Sequence, residues 1–561
     1  MKSLYIDMMD MVVNAYTAEH VRRYTDSVIE NGLEEHGFPR LTANLGILIA
    51  LGKKQEYKEI FVEMMTLCCK EMPTALERNG GRTGNNFSVK EIIFCILELE
   101  KAQIFDKSLT DSWRDELKKI VPEKTYHRIS PYSTEPVNNW AAFAAVSEQL
   151  RKFAGLGGDS LFIDNQIADQ MFCFDENCMY RDPHEPMAYD FVTRLQFAVA
   201  LYFGYNGKYA KELEENLIKS ADLTLKMQSV TGEIPFGGRS HQFLHNEAVY
   251  STLCEFYAWF FKKRGDMKKA GQFRRSARLA IESILPWLEK NPIPHIKNAY
   301  AIDSMYGCEG YAYYDKYMVT VASWLYLSYA MFDESIPEAL CPMESENYII
   351  ETSEHFHKVF LKFGNYFAEF DTFADLRYDA SGLGRIHKRG ASPLICMSVP
   401  CPPHEGSRYK TDIENPSPLS ICGGIKCGDE FVYAYDNDAK YTLSKKELTD
   451  IYAKVTFLCE TKSGKSFTQI CTLSESGAEV YVEGDGEVSI IFPLFDFDGK
   501  DFTKKEINNN VASVTHNKST CIYSADATIS DTGKLFANRN GHYKALSVSS
   551  QNSVTLKITI E

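Results

Sequence analysis

Apolar residues recur at helical spacing through the first 330 residues of the chain. Stretches such as ANLGILIALG, YKEIFVEMMTLCCKEM and VKEIIFCILELEKA place apolar side chains three and four positions apart, with Gly, Pro or Asn between stretches. The pattern predicts about twelve helices between residues 8 and 331, the first over residues 8–30. An even number of antiparallel helices favours six hairpins that close into an (α/α)6 toroid. A superhelical array is the alternative, although no fixed repeat period is visible.

The pattern changes to alternating apolar and polar residues from about residue 346. Stretches such as KVTFLCETKSGKSFTQICTL and AEVYVEGDGEVSIIFPLF alternate between turn signals, and all five Trp precede residue 325. Many strands without intervening helices predict an antiparallel β-sandwich. We therefore expect an α+β multidomain protein, with a toroid domain over residues 1–335 and a β-sandwich domain over residues 346–561.

The composition narrows the classes of function and partner. The 76 acidic residues against 61 Lys and Arg give a net charge of −15, which argues against a general nucleic-acid binder. No apolar run is long enough for a membrane helix, and the first residues lack a signal-peptide cleavage site. The 15 Cys show no disulfide spacing. We expect a cytoplasmic protein without metal or cofactor; a secreted chain trimmed of its signal and a homo-oligomer stay open.

The segment TGEIPFGGRSHQFLHNEAVY, residues 231–250, holds the densest candidate chemistry. A glycine-rich loop leads into a helix, with His241 and His245 four positions apart. Three interpretations are open: a zinc-binding histidine pair without the HExxH order, histidines that bond backbone at a helix start, and acid–base catalysis. We favour acid–base catalysis, because an imidazole titrates near neutral pH. The predicted catalytic residues are Arg239, His241, Glu247, Tyr250 and, from a neighbouring segment, Asp190.

Four further segments combine amides, charged groups and aromatic rings in loops. They cover residues 132–150, 179–196, 298–317 and 373–390. For the first segment the alternative is a helix cap with a core Trp. For the second it is a surface ion pair, and for the fourth a solvated hairpin. The third holds six Tyr, more than a core needs. With His245, these segments supply the predicted substrate-binding residues, which are Asn138, Asn139, Trp140, Arg181, Arg194, His245, Tyr306, Glu309, Tyr314 and His387.

The order Gly238-Arg239-Ser240-His241, with Tyr250 nine residues after His241, resembles the hyaluronate- and chondroitin-type polysaccharide lyases. The whole architecture is similar to these enzymes, to the heparinase II/III-like lyases and to the (α/α)-barrel β-glucuronidases of glycoside hydrolase family 154. The lyase resemblance implies β-elimination at a uronic acid. Arg239 and an Asn, either Asn138 or Asn139, would neutralise the C6 carboxylate. His241 or Tyr250 would remove the C5 proton, and Tyr250 would protonate O4.

Two alternatives follow from the same residues. A β-glucuronidase needs two carboxyl groups flanking the bond, for which Asp190, Glu247 and Glu309 are candidates and Asp182 and Asp303 further options. A non-catalytic carbohydrate-binding protein is the second alternative. An acidic poly- or oligosaccharide as substrate also requires a local basic pocket in this acidic chain. The arginines nominated for that pocket are Arg181, Arg194, Arg239 and Arg385.

Overall fold

The computed structural model describes residues 1–78, 84–134, 136–401, 409–435 and 439–561. The long helices end at Met331, one short helix follows at Pro342–Ser345, and the first strand begins at Tyr348. Three short 3-10 helices cover Gln55–Tyr57, Met72–Thr74 and Ile302–Ser304. The α-helices are α1 (Lys2–Asn14), α2 (Ala18–Asn31), α3 (Gly37–Ala50), α4 (Lys58–Glu71), α5 (Ala75–Arg78), α6 (Asn85–Ala102), α7 (Lys107–Leu117), α8 (Pro122–Thr125), α9 (Asn138–Phe153), α10 (Ser160–Met171), α11 (Met187–Tyr202), α12 (Ala210–Lys226), α13 (His245–Lys263), α14 (Met267–Leu288), α15 (Tyr314–Met331) and α16 (Pro342–Ser345).

Six helices form a closed inner ring. Going round it, α3 packs on α6, α6 on α9, α9 on α11, α11 on α13, α13 on α15, and α15 returns to α3. An outer helix packs against each member: α4 on α3, α7 on α6, α10 on α9, α12 on α11, α14 on α13 and α1 on α15. The predicted toroid of six helical pairs is confirmed, because the ring closes between its first and last members.

The inner helices are apolar on nearly all sides because they contact helices on both flanks and on their outer face. Every residue of α3 except Ala50 is buried, and α13 buries all but a few positions near its end. A charged residue in such a helix must therefore find a partner inside the protein. Arg40 of α3 is an example: its Nε donates to both carboxylate oxygens of Glu91 at 3.1 Å.

The single helix expected over residues 8–30 is two helices. The chain leaves α1 after Asn14, and Thr17 takes an extended conformation before α2 begins. The Thr17 side chain accepts a hydrogen bond from the backbone N–H of His20 at 3.2 Å. A threonine N-cap in the middle of an apolar periodic stretch therefore starts a new helix.

The second half of the chain forms two antiparallel sheets. The smaller has the order β1-β2-β3-β4, and the larger has the order β11-β12-β13-β15-β10-β9-β8-β7, with β14 on β15, β5 on β10 and β6 on β5. The strands are β1 (Tyr348–Glu351), β2 (Lys358–Phe363), β3 (Tyr366–Asp371), β4 (Gly382–Lys388), β5 (Cys422–Cys427), β6 (Glu430–Tyr433), β7 (Lys440–Leu448), β8 (Ala453–Glu460), β9 (Ser466–Ser474), β10 (Gly477–Phe497), β11 (Lys504–Asn508), β12 (Val511–His516), β13 (Ser519–Ala525), β14 (Ile529–Asn538) and β15 (Gly541–Ile560).

The two sheets share one hydrophobic core. Leu361 of β2 and Phe370 of β3 belong to the same buried cluster as Val480 of β10 and Leu556 of β15. The ring of Phe370 stacks on Phe457 of β8 with centroids 4.0 Å apart. This face-to-face arrangement confirms the predicted β-sandwich, which follows the toroid in the chain.

Candidate active site

A cavity of about 660 Å³ opens among the inner helices of the toroid. Its size suits a few sugar units. Residues of all six inner helices line it, together with residues of the loops before α3, α6, α9, α11, α13 and α15. The lining residues are Glu35, His36, Arg40, Gly84, Phe87, Arg128, Asn138, Asn139, Trp140, Phe143, Asp182, Pro183, His184, Tyr189, Val192, Arg239, His245, Tyr311, Lys316, Tyr317, Thr320 and Trp324.

Aromatic rings form much of the cavity wall. Trp140, at the start of α9, meets Phe87 edge to face with centroids 4.5 Å apart, and Phe143 meets the other side of Phe87 at 4.6 Å. The Arg128 guanidinium lies 5.4 Å from the Trp140 ring. Large, rigid rings that carry polar groups at their edges suit the apolar faces and hydroxyl rims of sugars.

The cavity is basic although the protein is acidic. Among the described residues, four cations line it, namely Arg40, Arg128, Arg239 and Lys316, against the lining carboxylates Glu35 and Asp182 and against Glu91, the partner of Arg40. Lys316 lies 3.6 Å from Glu35. A concentration of positive charge within low-dielectric walls attracts an anionic ligand even when the whole protein repels it.

Asp182 joins two of the predicted residues at one wall. Its Oδ1 accepts hydrogen bonds from Asn139, at 3.0 Å from Nδ2 and 3.3 Å from the backbone N. Arg239 forms an ion pair with the other carboxylate oxygen, and its guanidinium lies 4.3 Å over the ring of Tyr189. Burial lowers the pKa of Arg239 from its ordinary value. Asn138 begins α9 beside this group with a φ of 39°.

Three tyrosines surround the hydroxyl of Ser240. Its Oγ lies 3.3 Å from the hydroxyl oxygen of Tyr189, 3.0 Å from that of Tyr311 and 3.4 Å from that of Tyr317. Burial raises the pKa of all three phenols well above their ordinary value, so each is neutral at neutral pH. We call Tyr189, Tyr311 and Tyr317 the tyrosine trio.

Among the described residues three histidines, His36, His184 and His245, line the same cavity, and the last two have different environments. The Nδ1 of His184 lies 2.8 Å from the Nη2 of Arg377, which belongs to a loop of the β domain. A guanidinium only donates, so Nδ1 accepts and the proton of the neutral ring is on Nε2. His245 stacks on Phe243, and burial lowers its pKa to about 3. Its imidazole is therefore neutral over the physiological range.

The structure brings five of the predicted residues to this cavity. They are Asn138, Asn139, Trp140, Arg239 and His245. They come from two of the predicted segments, residues 132–150 and 231–250, and α9, α13 and the loop before α13 place them around one opening.

The other predicted catalytic residues lie outside the cavity lining and bond only protein groups. The ring of His241 lies 2.5 Å from the carbonyl oxygen of Pro235, and burial lowers its pKa well below its ordinary value. The buried hydroxyl of Tyr250 donates to the carbonyl of Thr224 at 2.9 Å. Glu247 pairs with Lys297 at 2.7 Å, and Asp190 forms a two-bond ion pair with Arg194.

The remaining predicted binding residues also have partners elsewhere. Arg181 contacts His355 of the β domain, Glu309 pairs with Arg539, and the rings of Tyr306 and Tyr300 stack 3.5 Å apart. Tyr314 donates to the carbonyl of Ile293. His387 lies 2.6 Å from the hydroxyl of Ser229, and Arg385 pairs with Glu369 at 3.0 Å. Arg194 is wholly buried beside Asp190.

Sequence reasoning missed several lining residues, among them Arg40, Arg128, Lys316, Tyr189 and His184. Arg40 carries a usable signal, since it is the one charge in the helical stretch GFPRLTANLGILIA. A lone charge in an otherwise apolar inner helix has either a buried partner or a ligand. His184 and Tyr189 lie in a segment that the sequence does single out, but nothing in the pattern separates them from Arg181 and Asp190.

Among the described residues, no group of three or more His, Cys, Asp or Glu side chains is arranged to hold a metal ion. Within the same residues, no helix is both long and apolar enough to cross a membrane.

No protein-family model matches the chain, and no curated protein matches it. Among solved structures, heparinase III superposes with a TM-score of 0.51 at 9% identity, over 94% of this chain and 77% of that one. The heparan sulfate lyase HepC from Pedobacter heparinus gives 0.46 at 8% identity, over 93% and 75%. The Streptomyces coelicolor A3 chondroitin AC lyase gives 0.45 at 9% identity, over 99% and 83%. The likeness to heparinase III shows that this chain has the toroid-plus-β-sandwich fold.

Proposed function

We propose that the protein is a polysaccharide lyase that cleaves the glycosidic bond at a uronic acid by β-elimination. The observation that carries the proposal is the cavity itself. In a chain of net charge −15, four cations, a wall of aromatic rings and neutral proton-transfer groups converge on one opening in the toroid. The fold, shared with heparinase III, adds support because that protein is by name a heparin-degrading enzyme.

The first task of such an enzyme is to neutralise the C6 carboxylate, because a neutralised carboxylate makes the neighbouring C5 proton acidic. We assign this task to Arg239 with Asn138 and Asn139. Asp182 fixes Asn139 and Arg239 at the same wall. Donors held in place at a cavity wall stabilise the charge that develops as the proton leaves.

The second task is proton transfer. A base takes the C5 proton, the electron pair of that C–H bond becomes the C4–C5 double bond, the C4–O4 bond breaks, and an acid protonates O4. His245 is the proposed base, since its neutral imidazole lines the cavity and a bound carboxylate would raise its basicity. Tyr189 is the proposed acid, because its raised pKa keeps the phenol protonated until O4 needs a proton.

Hydrolysis has weaker support from the same cavity. Its two described carboxylates are engaged: Glu35 accepts from Tyr24 at 2.5 Å, and Asp182 holds Asn139 and Arg239. The carboxylates that the sequence suggests for a glucuronidase, Asp190, Glu247 and Glu309, are buried in ion pairs with Arg or Lys. Each of these acids has a protein partner, which disfavours a pair of carboxyl groups free to flank a glycosidic bond.

A panel of glucuronate-containing glycans tests the proposal. Each glycan is incubated with the protein and followed by ultraviolet absorbance, which reports the C4–C5 double bond, and by a reducing-end assay, which reports any cleavage. We expect both signals together, and neither signal for matched glycans whose carboxyl groups have been reduced to alcohols. New reducing ends without absorbance would replace the lyase by a hydrolase. Binding without either signal would indicate a non-catalytic carbohydrate-binding protein.

A further inference from the structure

A hairpin of the β domain reaches the toroid beneath the candidate active site. The turn between β14 and β15 has the sequence Asn538-Arg539-Asn540-Gly541. The Asn538 side chain closes the turn by accepting the backbone N–H of Asn540 at 2.9 Å. Arg539 at its tip is 3% exposed and contacts residues of the toroid domain.

The Arg539 guanidinium binds one carboxylate through two nitrogens. Its Nη2 donates to Oε1 of Glu309 at 2.6 Å, and its Nη1 donates to Oε2 at 2.9 Å and to the carbonyl of Gly307 at 2.7 Å. A two-bond pair of this kind fixes both the position and the plane of the carboxylate.

Glu309 connects Arg539 to the tyrosine trio through Ser240. Its Oε1 also accepts the backbone N–H of Ser240 at 2.6 Å. Ser240 has a φ of 54°, in the left-handed region that a serine adopts only when its surroundings hold it there. The hydroxyl of the same serine lies between Tyr189, Tyr311 and Tyr317.

We propose that Arg539 is a positioning residue of the active site, which acts through Glu309 and Ser240 to hold the tyrosine trio in position for proton transfer. The proposal rests on the proposed function, since it assigns the trio to that reaction. It gives the β domain a part in catalysis, because a residue more than 200 positions along the chain from the trio sets the geometry of the cavity wall.

A matched control separates positioning from simple docking of the two domains. His542, three residues after Arg539, lies 3.1 Å from the hydroxyl of Tyr300 in the toroid domain. Tyr300→Phe removes a hydrogen bond between the same two domains at the same hairpin, yet Tyr300 has no contact with Ser240 or the trio among the described residues.

The first arm measures turnover on a uronate glycan that the wild type cleaves. We expect Arg539→Met to lower kcat by about a hundredfold with KM changed less than about threefold, the scale of loss for a misplaced catalytic group. Arg539→Lys keeps the charge but not the two-bond geometry, so an intermediate loss of about tenfold in kcat is expected. If Arg539→Met does not fold, the kcat of Arg539→Lys tests the proposal. A lowered Tm with unchanged kcat would overturn the proposal, as would an equal loss in Tyr300→Phe.

The second arm needs no substrate. With 3-fluorotyrosine placed at position 311, the fluorine resonance reports the surroundings of a phenol 3.0 Å from the Ser240 hydroxyl. We expect the resonance to move in Arg539→Lys and to stay in Tyr300→Phe. An unmoved resonance in Arg539→Lys would overturn the proposed coupling from Arg539 through Glu309 and Ser240 to the trio. A wild type inactive on every uronate glycan would instead contradict the proposed function, while this second arm still tests the coupling.

Discussion

At the scale of single residues, the sequence locates segments better than it selects side chains within them. Tyr189 and Asp190 are neighbours on α11, yet successive side chains on a helix point about 100° apart. Tyr189 lines the cavity, whereas Asp190 is buried against Arg194. A motif spacing fixes which residues share a helix face, but not whether that face looks into the ring or toward the outer helices.

The pair Tyr189 and Tyr250 puts this distinction to a test. We expect Tyr189→Phe to lower turnover on a uronate glycan by at least roughly a hundredfold, because it removes the proposed acid. Tyr250→Phe deletes a hydroxyl that donates to the Thr224 carbonyl in the core, so it should lower Tm and leave kcat within about threefold. The reverse result, with Tyr250 essential and Tyr189 dispensable, would move the site away from the cavity.

The ionisation states of the proposed acid and base set the pH dependence of catalysis. The pKa of His245 is lowered to about 3 and that of Tyr189 is raised, so the free enzyme has a neutral imidazole and a neutral phenol across the physiological range. Activity should fall only as acidification protonates His245 or strong alkali ionises Tyr189. We therefore expect kcat/KM to be flat between about pH 5 and 9, measured in buffers of constant ionic strength. An inflection near neutral pH that is lost in His184→Gln would make His184 the base instead.

At the scale of helices and strands, periodicity predicts the architecture well. The alternation of helical stretches and breaks anticipates six pairs, and the ring closes from α15 to α3. The loss of Trp and the change to two-residue alternation anticipate the sandwich. What the pattern cannot supply is the division at Thr17, since apolar spacing continues across two helices that pack on different partners, α1 on α15 and α2 on α4. The domain limits 1–335 and 346–561 stay predictions.

Close packing in the inner ring has a consequence for Gly46 of α3. A Cβ at this glycine would come within 2.4 Å of Cys95 Sγ on α6 and of the Phe61 ring on α4. Alanine favours helices over glycine, but both neighbours are fully buried. We expect Gly46→Ala to lower the free energy of unfolding by about 1–3 kcal/mol, as overpacked cores do. Gly310→Ala is the control, because its Cβ would meet no atom within 4 Å. A Gly46→Ala protein as stable as the wild type would show that α3, α4 and α6 are less tightly packed than described.

At the scale of the whole molecule, the net charge of the sequence and the local charge of the cavity differ in sign. The net charge of −15 does not reveal the basic cavity, because Arg40, Arg128 and Lys316 lie in three different segments. Only closure of the ring brings them together. Of the arginines that the sequence suggests for a basic pocket, Arg239 lines the cavity. Arg194 and Arg385 instead form buried ion pairs with Asp190 and Glu369. The positive charge of the cavity is thus a property of the folded toroid rather than of any one motif.

The fate of solvent oxygen tests the central claim most directly. β-Elimination breaks the C4–O4 bond without adding water, whereas hydrolysis inserts one oxygen atom from water into the product. The protein is incubated with a glucuronate glycan in oxygen-18 water. The masses of the products are measured immediately by mass spectrometry, before the reducing end exchanges its oxygen with the solvent. We expect an unsaturated product, lighter than the hydrolysis product by one water, with no oxygen-18 in either fragment. Saturated products that carry one oxygen-18 atom would contradict the account.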